Sequence, residues 1–140
     1  MENLESLSGV DENKQVFEMF IGGYMGPSSF YYINKMKEEY EFRYGFSSNG
    51  LKIRNDPNNK ELYIRKQDKE FYENFKSNLI QLTSHWSKDG YSNNQIMGGT
   101  QWHIDLKNTM RYSGSNAFPE DFKIVMNYID KAFGVDQLII

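Results

Sequence analysis

The sequence contains no cysteine, and this absence excludes disulfide bonds, thiolate zinc sites and a cysteine nucleophile. Proline is scarce, with 3 residues, and no segment approaches the apolar length that spans a bilayer. The opening residues, MENLESLSGVDENKQ, are polar and acidic, whereas a signal peptide has a basic start and an apolar middle. We therefore expect a cytoplasmic protein that does not enter a membrane.

The chain also lacks an excess of basic residues. Its formal net charge is −3, whereas proteins that bind nucleic acids use lysine and arginine to neutralise phosphates. Charged residues make up 25% and hydrophobic residues 39% of the chain, which is not the composition of a disordered protein. We expect a folded protein without a nucleic-acid partner.

The sequence is rich in aromatic residues and poor in alanine. Alanine occurs only at Ala117 and Ala132, whereas the chain has 10 Tyr, 10 Phe and 2 Trp. A chain of 140 residues is long enough for one domain that buries roughly two-thirds of its unfolded surface. We expect a flexible arm over residues 1–14 and one domain over 15–140, with a core built from rings.

Apolar residues that alternate with polar ones predict strands in the first half of the chain. The clearest pattern covers 40–46, where four aromatic residues alternate with polar or small ones. Residues 29–36, 51–54 and 61–65 also have strand character, and Asn49-Gly50 is typical of a tight hairpin turn. Residues 16–21 are apolar and aromatic. Together these segments predict an antiparallel meander.

Apolar spacings of three and four predict two helices farther along the chain. The first covers 69–86 behind Asp68 as N-cap; the second begins at Pro119 and ends at Gly134. Alternation over 101–106 and a return strand after Asn108 predict a hairpin between the helices. This order predicts an α+β fold: an antiparallel sheet, formed by the meander and the C-terminal hairpin, with both helices packed on one face.

The C-terminal half contains aromatic, glycine and turn residues in a distinctive order. They are Trp86, Tyr91, Gly99-Thr100-Gln101-Trp102, and Ser113-Gly114-Ser115-Asn116-Ala117-Phe118-Pro119 with Phe122. This order resembles the signature of a family of small, uncharacterised bacterial proteins, in which W-x-x-x-Y is followed by D-G-T-x-W and then by S-G-x-N-x-Y-P-x-x-F. The chain departs from it at Gly98, where the pattern is acidic, and at Phe118, where it has tyrosine. The resemblance supports the fold and implies no activity.

The segment 113–119 has a structural interpretation. Serine and asparagine side chains just before a helix that starts at proline can accept hydrogen bonds from its free N–H groups. Gly114 suits a close backbone approach. An anion site beside Arg111 is the functional alternative, but Glu120 and Asp121 would repel an anion. We interpret the following residues as structural anchors: Trp86, Trp102, Asn116, Pro119 and Phe122.

A polar row on the predicted strand 101–106 is the candidate site. Gln101, His103 and Asp105 share one side of this strand, and Arg43 or Arg111 would complete a ligand-binding or catalytic set. However, residues two apart on a strand are about 6.5–7 Å apart, so His103 and Asp105 pair poorly. A solvated sheet face is the simpler interpretation. His85 and His103 show no ligand spacing, and we expect neither a metal nor a cofactor.

The sequence lacks the motifs of common enzyme classes, including the G-x-S-x-G elbow, H-E-x-x-H and the P-loop. We therefore expect no catalytic residue, and a non-enzymatic protein-interaction module of immunity or regulatory type. The alternative is a small-ligand-binding or enzymatic domain that uses the polar row. A third hypothesis is a homodimer formed through the apolar tail Leu138-Ile139-Ile140.

Overall fold

The computed structural model of the protein describes residues 14–23, 27–47, 60–93, 95 and 99–135. Within these ranges the chain forms a mixed sheet of seven strands and two helices, which confirms the α+β class. The elements are β1 Lys14–Gly22, β2 Ser28–Lys35, β3 Tyr40–Ser47, β4 Lys60–Gln67, α1 Lys69–Leu82, β5 Tyr91–Ser92, β6 Gln101–Leu106, β7 Met110–Ser115 and α2 Phe122–Phe133. Neither helix of this described part is long and apolar enough to cross a membrane.

The sheet has the strand order β4-β3-β2-β1-β6-β7-β5. Strands β1 to β4 form the predicted antiparallel meander, and β6 and β7 form the predicted hairpin. The apolar segment 16–21 belongs to β1, which joins the two parts by pairing with β2 on one side and β6 on the other. Met19 and Phe20 are adjacent residues of β1 that point to opposite faces, and both are buried. The strand therefore lacks a regular alternation of apolar and polar residues.

Strand β5 corrects the prediction of a purely antiparallel sheet. Tyr91 and Ser92 pair in parallel with Gly114 and Ser115 of β7, which makes the sheet mixed. A strand of two residues is too short to show periodicity, so the sequence pattern does not predict it. The predicted segments 1–13, 48–59 and 136–140 lie outside the described residues.

Helix α1 begins as predicted and ends earlier than predicted. The Asp68 side chain accepts a hydrogen bond from the Phe71 N–H at 2.8 Å, which confirms the N-cap. The helix ends at Leu82, and the buried Thr83 hydroxyl donates to the Leu79 carbonyl at 2.9 Å. Trp86 continues the apolar spacing from the turn that follows. The apolar spacing therefore predicted correctly that Trp86 is buried, but it did not predict where the helix ends.

The start of α2 differs from the prediction. The helix begins at Phe122, and its N-cap, Asp121, makes no side-chain capping hydrogen bond. Asn116 has a positive φ of 58° and accepts a hydrogen bond from the Thr100 N–H at 2.8 Å. The capping role predicted for the 113–119 segment is therefore wrong, because Asn116 holds the loop before β6. The helix ends at Gly134 in the left-handed conformation, as predicted.

The core is an assembly of rings. Phe133 of α2 contacts Phe17, Tyr31 and Phe42 of three strands and Phe75 of α1, with centroid distances of 5.0–6.2 Å. Phe75 contacts Phe17 and Phe42 edge-to-face, at 5.4 and 5.6 Å. Edge-to-face pairs add stabilisation beyond the area that they bury. The few large rings thus connect both helices to the central strands.

A polar contact lies inside this core. The Tyr31 hydroxyl donates a hydrogen bond of 2.6 Å to the Asp130 carboxylate, and both residues are buried. Burial, together with the nearby Asp130, raises the pKa of Tyr31 well above its usual range. The contact joins β2 to α2.

Stability should decline at alkaline pH because of buried tyrosines. Tyr40 and Tyr72 stack at 4.2 Å, and burial raises the pKa of Tyr72 to about 12. An unfolded chain releases its tyrosine protons near pH 10. Between about pH 10 and 12 the unfolded state has therefore lost a proton that the folded state keeps, so the free energy of unfolding decreases.

The measurement is urea denaturation from pH 8 to 12, on the wild type and on Tyr72→Phe. The wild-type free energy of unfolding should be fully present below about pH 10 and decrease as the pH rises through 12. Tyr72→Phe should decrease less steeply over that interval. An identical slope in both proteins would contradict the assignment to Tyr72.

Candidate functional site

The structure places all five candidate residues on one side of the sheet. Along β6 the residues Gln101, His103 and Asp105 alternate with the buried Trp102, Ile104 and Leu106. Asp105 lies opposite Arg111 of β7 and opposite Glu18 of β1, and this register continues through Tyr32 of β2 to Arg43 of β3. We call this side the charged face, defined by Glu18, Glu41, Arg43, Gln101, His103, Asp105, Lys107 and Arg111.

Three ion pairs and one imidazole–carboxylate contact run across β7, β6 and β1 on the charged face. Arg111 and Lys107 each contact Asp105 at 3.1 Å, and Lys107 reaches Glu18 at 3.7 Å. His103 Nε2 lies 3.2 Å from the second oxygen of the Glu18 carboxylate. The result is a chain in which two carboxylates alternate with basic groups. We call these five residues the ion-pair chain.

Side chains of the ion-pair chain are partly exposed. Exposure is 18% for Asp105, 27% for His103 and 61% for Arg111. Exposed ion pairs contribute little to stability, with a median of about 0–1 kcal/mol. The chain of pairs therefore has a modest structural effect, and its groups are accessible to another molecule.

His103 is held by a residue that the sequence interpretation missed. Its partner Glu18 is 85 positions away in the chain and lies on the neighbouring strand. The signal for Glu18 was its place between the buried Phe17 and Met19, but the surrounding segment was interpreted only as apolar. Lys107 was missed because it follows the last residue of β6.

Arg43 belongs to a separate pair. Its guanidinium contacts Glu41 of the same strand at 3.0 Å. Between Arg43 and Asp105 lie β2 and β1, so three strand spacings of about 4.8 Å separate their backbones, roughly 14 Å. The structure therefore brings Arg111 to Asp105 and keeps Arg43 apart from that pair. Gln101 lies at the other end of the row, opposite Gly22 of β1.

Three buried rings lie on the same side of the sheet as the charged face. Phe20 stacks on the His103 ring at 5.9 Å, and Phe30 stacks on Tyr32 at 5.8 Å. Phe20, Phe30 and Tyr32 form a second buried cluster, separate from the main core. These rings are buried, so the groups of the ion-pair chain are more exposed than the rings beside them.

The side chains of the charged face can form hydrogen bonds and ion pairs with another molecule. In the described part of the chain no group of three histidine, aspartate or glutamate residues is placed to hold a metal. His103 and Glu18 form an imidazole–carboxylate pair, an arrangement that can move a proton when a substrate is within reach. His85 lies elsewhere, paired with Asp121 at 3.0 Å.

The residues interpreted as anchors gather around Trp102. Its ring contacts Trp86 at 5.8 Å and Phe122 at 4.8 Å, and its Nε1–H donates to the Ala117 carbonyl at 2.8 Å. Gly114 lies so close to the indole that a Cβ there would overlap it, which confirms the predicted close approach. Pro119 is buried, and Asn116 holds Thr100.

No family model, curated protein or solved structure matches the chain. The resemblance to the family of small bacterial proteins therefore stays a prediction.

Proposed function

We propose that the protein is a non-enzymatic protein-interaction module that binds a partner protein through the charged face. The observation that carries this proposal is the ion-pair chain, because it arranges partly exposed charges of alternating sign across three paired strands. Such a pattern is matched by a protein surface with the complementary order of charges. Charge complementarity of this kind selects partners and accelerates their association.

The compensation within the ion-pair chain supports a protein partner over a charged small molecule. Asp105 has two basic neighbours, and Glu18 has Lys107 and His103. A small ion would have to compete with these internal pairs for each group. A protein surface supplies many charges at once, so it can pair with the whole row of charges.

We further propose that both helices pack on one face of the sheet and leave the charged face for the partner. Phe75 and Phe133 of the helices contact Phe17 and Phe42 of the sheet. These two strand residues alternate with members of the charged face, such as Glu18. An immunity-type or regulatory complex in a bacterial cytoplasm is the setting that we propose.

The proposal is tested by capturing partners from the lysate of the native host with two tagged variants. Lys107→Glu/Arg111→Glu reverses two charges of the charged face. Lys69→Glu/Lys123→Glu makes the same change in net charge at exposed positions of the helices. We expect the first variant to recover about tenfold less of the wild-type partner, since like charges across an interface cost several kcal/mol.

The helix variant should recover the partner at the wild-type yield, and circular dichroism should show that both variants are folded. Equal recovery by the two variants would contradict the charged face as the interface. Recovery of the protein alone from the lysate would contradict the proposal of a partner protein.

A small-ligand or enzymatic function is the second candidate, and the pair of His103 with Glu18 favours it. The pair is partly exposed, with 27% and 33% of the side chains accessible, and Phe20 holds the imidazole ring. A thermal-shift screen of metabolites distinguishes the two functions. A ligand that stabilises the wild type and has no effect on folded His103→Ala would favour this second candidate.

A further inference from the structure

A groove at the other end of the molecule contains exposed aromatic and acidic groups. It has a volume of about 280 Å³ and is lined by His85, Trp86, Tyr91, Phe118, Pro119, Glu120 and Asp121. Pockets for drug-sized ligands measure roughly 300–1,000 Å³, so this groove suits a single side chain. The turn after α1, strand β5 and the segment before α2 form its walls.

Phe118 is the exposed ring of the groove. It stacks on Trp102 with an interplanar angle of 13° and packs against Phe122 at 4.9 Å. Nevertheless 42% of the residue remains exposed, which makes it one of the few large apolar residues on the described surface. Trp102 and Phe122 both contact this ring, and the rest of its surface is open.

The charge of the groove is negative next to this ring. Glu120 is exposed, and Asp121 is partly exposed while it accepts a hydrogen bond of 2.8 Å from the Trp86 indole. His85 contacts the second oxygen of Asp121 at 3.0 Å. Asp121 is therefore engaged in the wall of the groove, and Glu120 supplies the carboxylate at its rim.

We propose that this groove binds an arginine side chain of a partner protein. A guanidinium is planar, so it stacks on the exposed part of the Phe118 ring, and its N–H groups donate to Glu120. The acidic residues Glu120 and Asp121 favour a cation, and the volume of about 280 Å³ accommodates one side chain. This site is distinct from the charged face, and its test does not depend on that proposal.

The preference for arginine over lysine follows from the same geometry. A guanidinium stacks flat on an aromatic ring and keeps its donors free for a carboxylate, whereas an ammonium is a compact and strongly hydrated charge. Phe118→Tyr keeps the ring, and Phe118→Leu keeps an apolar side chain but removes the ring. These two variants form a matched pair for the stacking contact.

The test is a titration of ¹⁵N-labelled protein with acetyl-arginine amide, followed by amide and indole chemical shifts. We expect saturable shifts at Phe118, Glu120 and the Trp86 indole N–H. Phe118→Leu and Glu120→Gln should each weaken binding by about threefold to tenfold, and Phe118→Tyr should retain it. Acetyl-citrulline amide, which has the same shape without the charge, should cause no saturable shifts.

Lack of saturable shifts with acetyl-arginine amide would overturn the proposal, as would equal binding of the citrulline compound. Wild-type affinity in both Phe118→Leu and Glu120→Gln would also overturn it. Lys107→Glu/Arg111→Glu should bind acetyl-arginine amide like the wild type, so failure at the charged face and failure at the groove are separate results.

Discussion

Replacement of Trp102 by alanine should lower the free energy of unfolding by about 3–5 kcal/mol, the range for a large aromatic residue in a core. Trp102 is 2% exposed, and its ring contacts Trp86, Tyr91, Phe118 and Phe122. Alanine would leave a large cavity among these rings. It would also remove the hydrogen bond from the indole to the Ala117 carbonyl.

Phe118→Ala is the matched control for Trp102→Ala. Phe118 belongs to the same group of rings but is 42% exposed, so its removal should cost about 1 kcal/mol or less. Urea denaturation at pH 7 measures both variants against the wild type. A near-neutral effect of Trp102→Ala would contradict the role of this tryptophan as an anchor of the core.

Replacement of Phe133 by alanine should have an effect of similar size, about 3–5 kcal/mol. Phe133 is fully buried and contacts rings on β1, β2, β3 and α1. Loss of this ring therefore weakens the attachment of α2 to three strands and to the other helix at once. The helix itself should suffer little, because alanine has the higher helix propensity.

Ile124→Ala is the control for Phe133→Ala on the same helix. Ile124 is 61% exposed, and its truncation should change the free energy of unfolding by about 0.5 kcal/mol or less. Urea denaturation again gives the comparison. Equal effects of the two substitutions would mean that Phe133 does not hold α2 on the sheet.

Features that depend on neighbours in the chain were predictable from the sequence. Residues close together in the chain set three of these features. They are the alternation in β3 and β6, the Asp68 cap and the glycine that ends α2. The same alternation placed Gln101, His103 and Asp105 on one side of a strand. The fold class followed from the order of these elements.

Errors arose where a distant residue decides the local structure. Asparagine is a common helix-capping residue, but the Asn116 side chain accepts a hydrogen bond from the Thr100 N–H, 16 positions earlier. Trp86 fits the apolar period of α1, but its indole binds Asp121, 35 positions later, outside the helix. The local sequence cannot show whether a polar side chain bonds to a group nearby in the chain or to a distant one, because either group can satisfy the same donor or acceptor.

Which side chains share a strand face could be predicted from the sequence, whereas the contacts between them depend on how the strands pair. Alternation is a property of one strand, so it needs no knowledge of the sheet. The order β4-β3-β2-β1-β6-β7-β5 and its register depend on pairing between distant segments. That pairing put Glu18 beside His103, put Arg111 beside Asp105, and left Arg43 with Glu41.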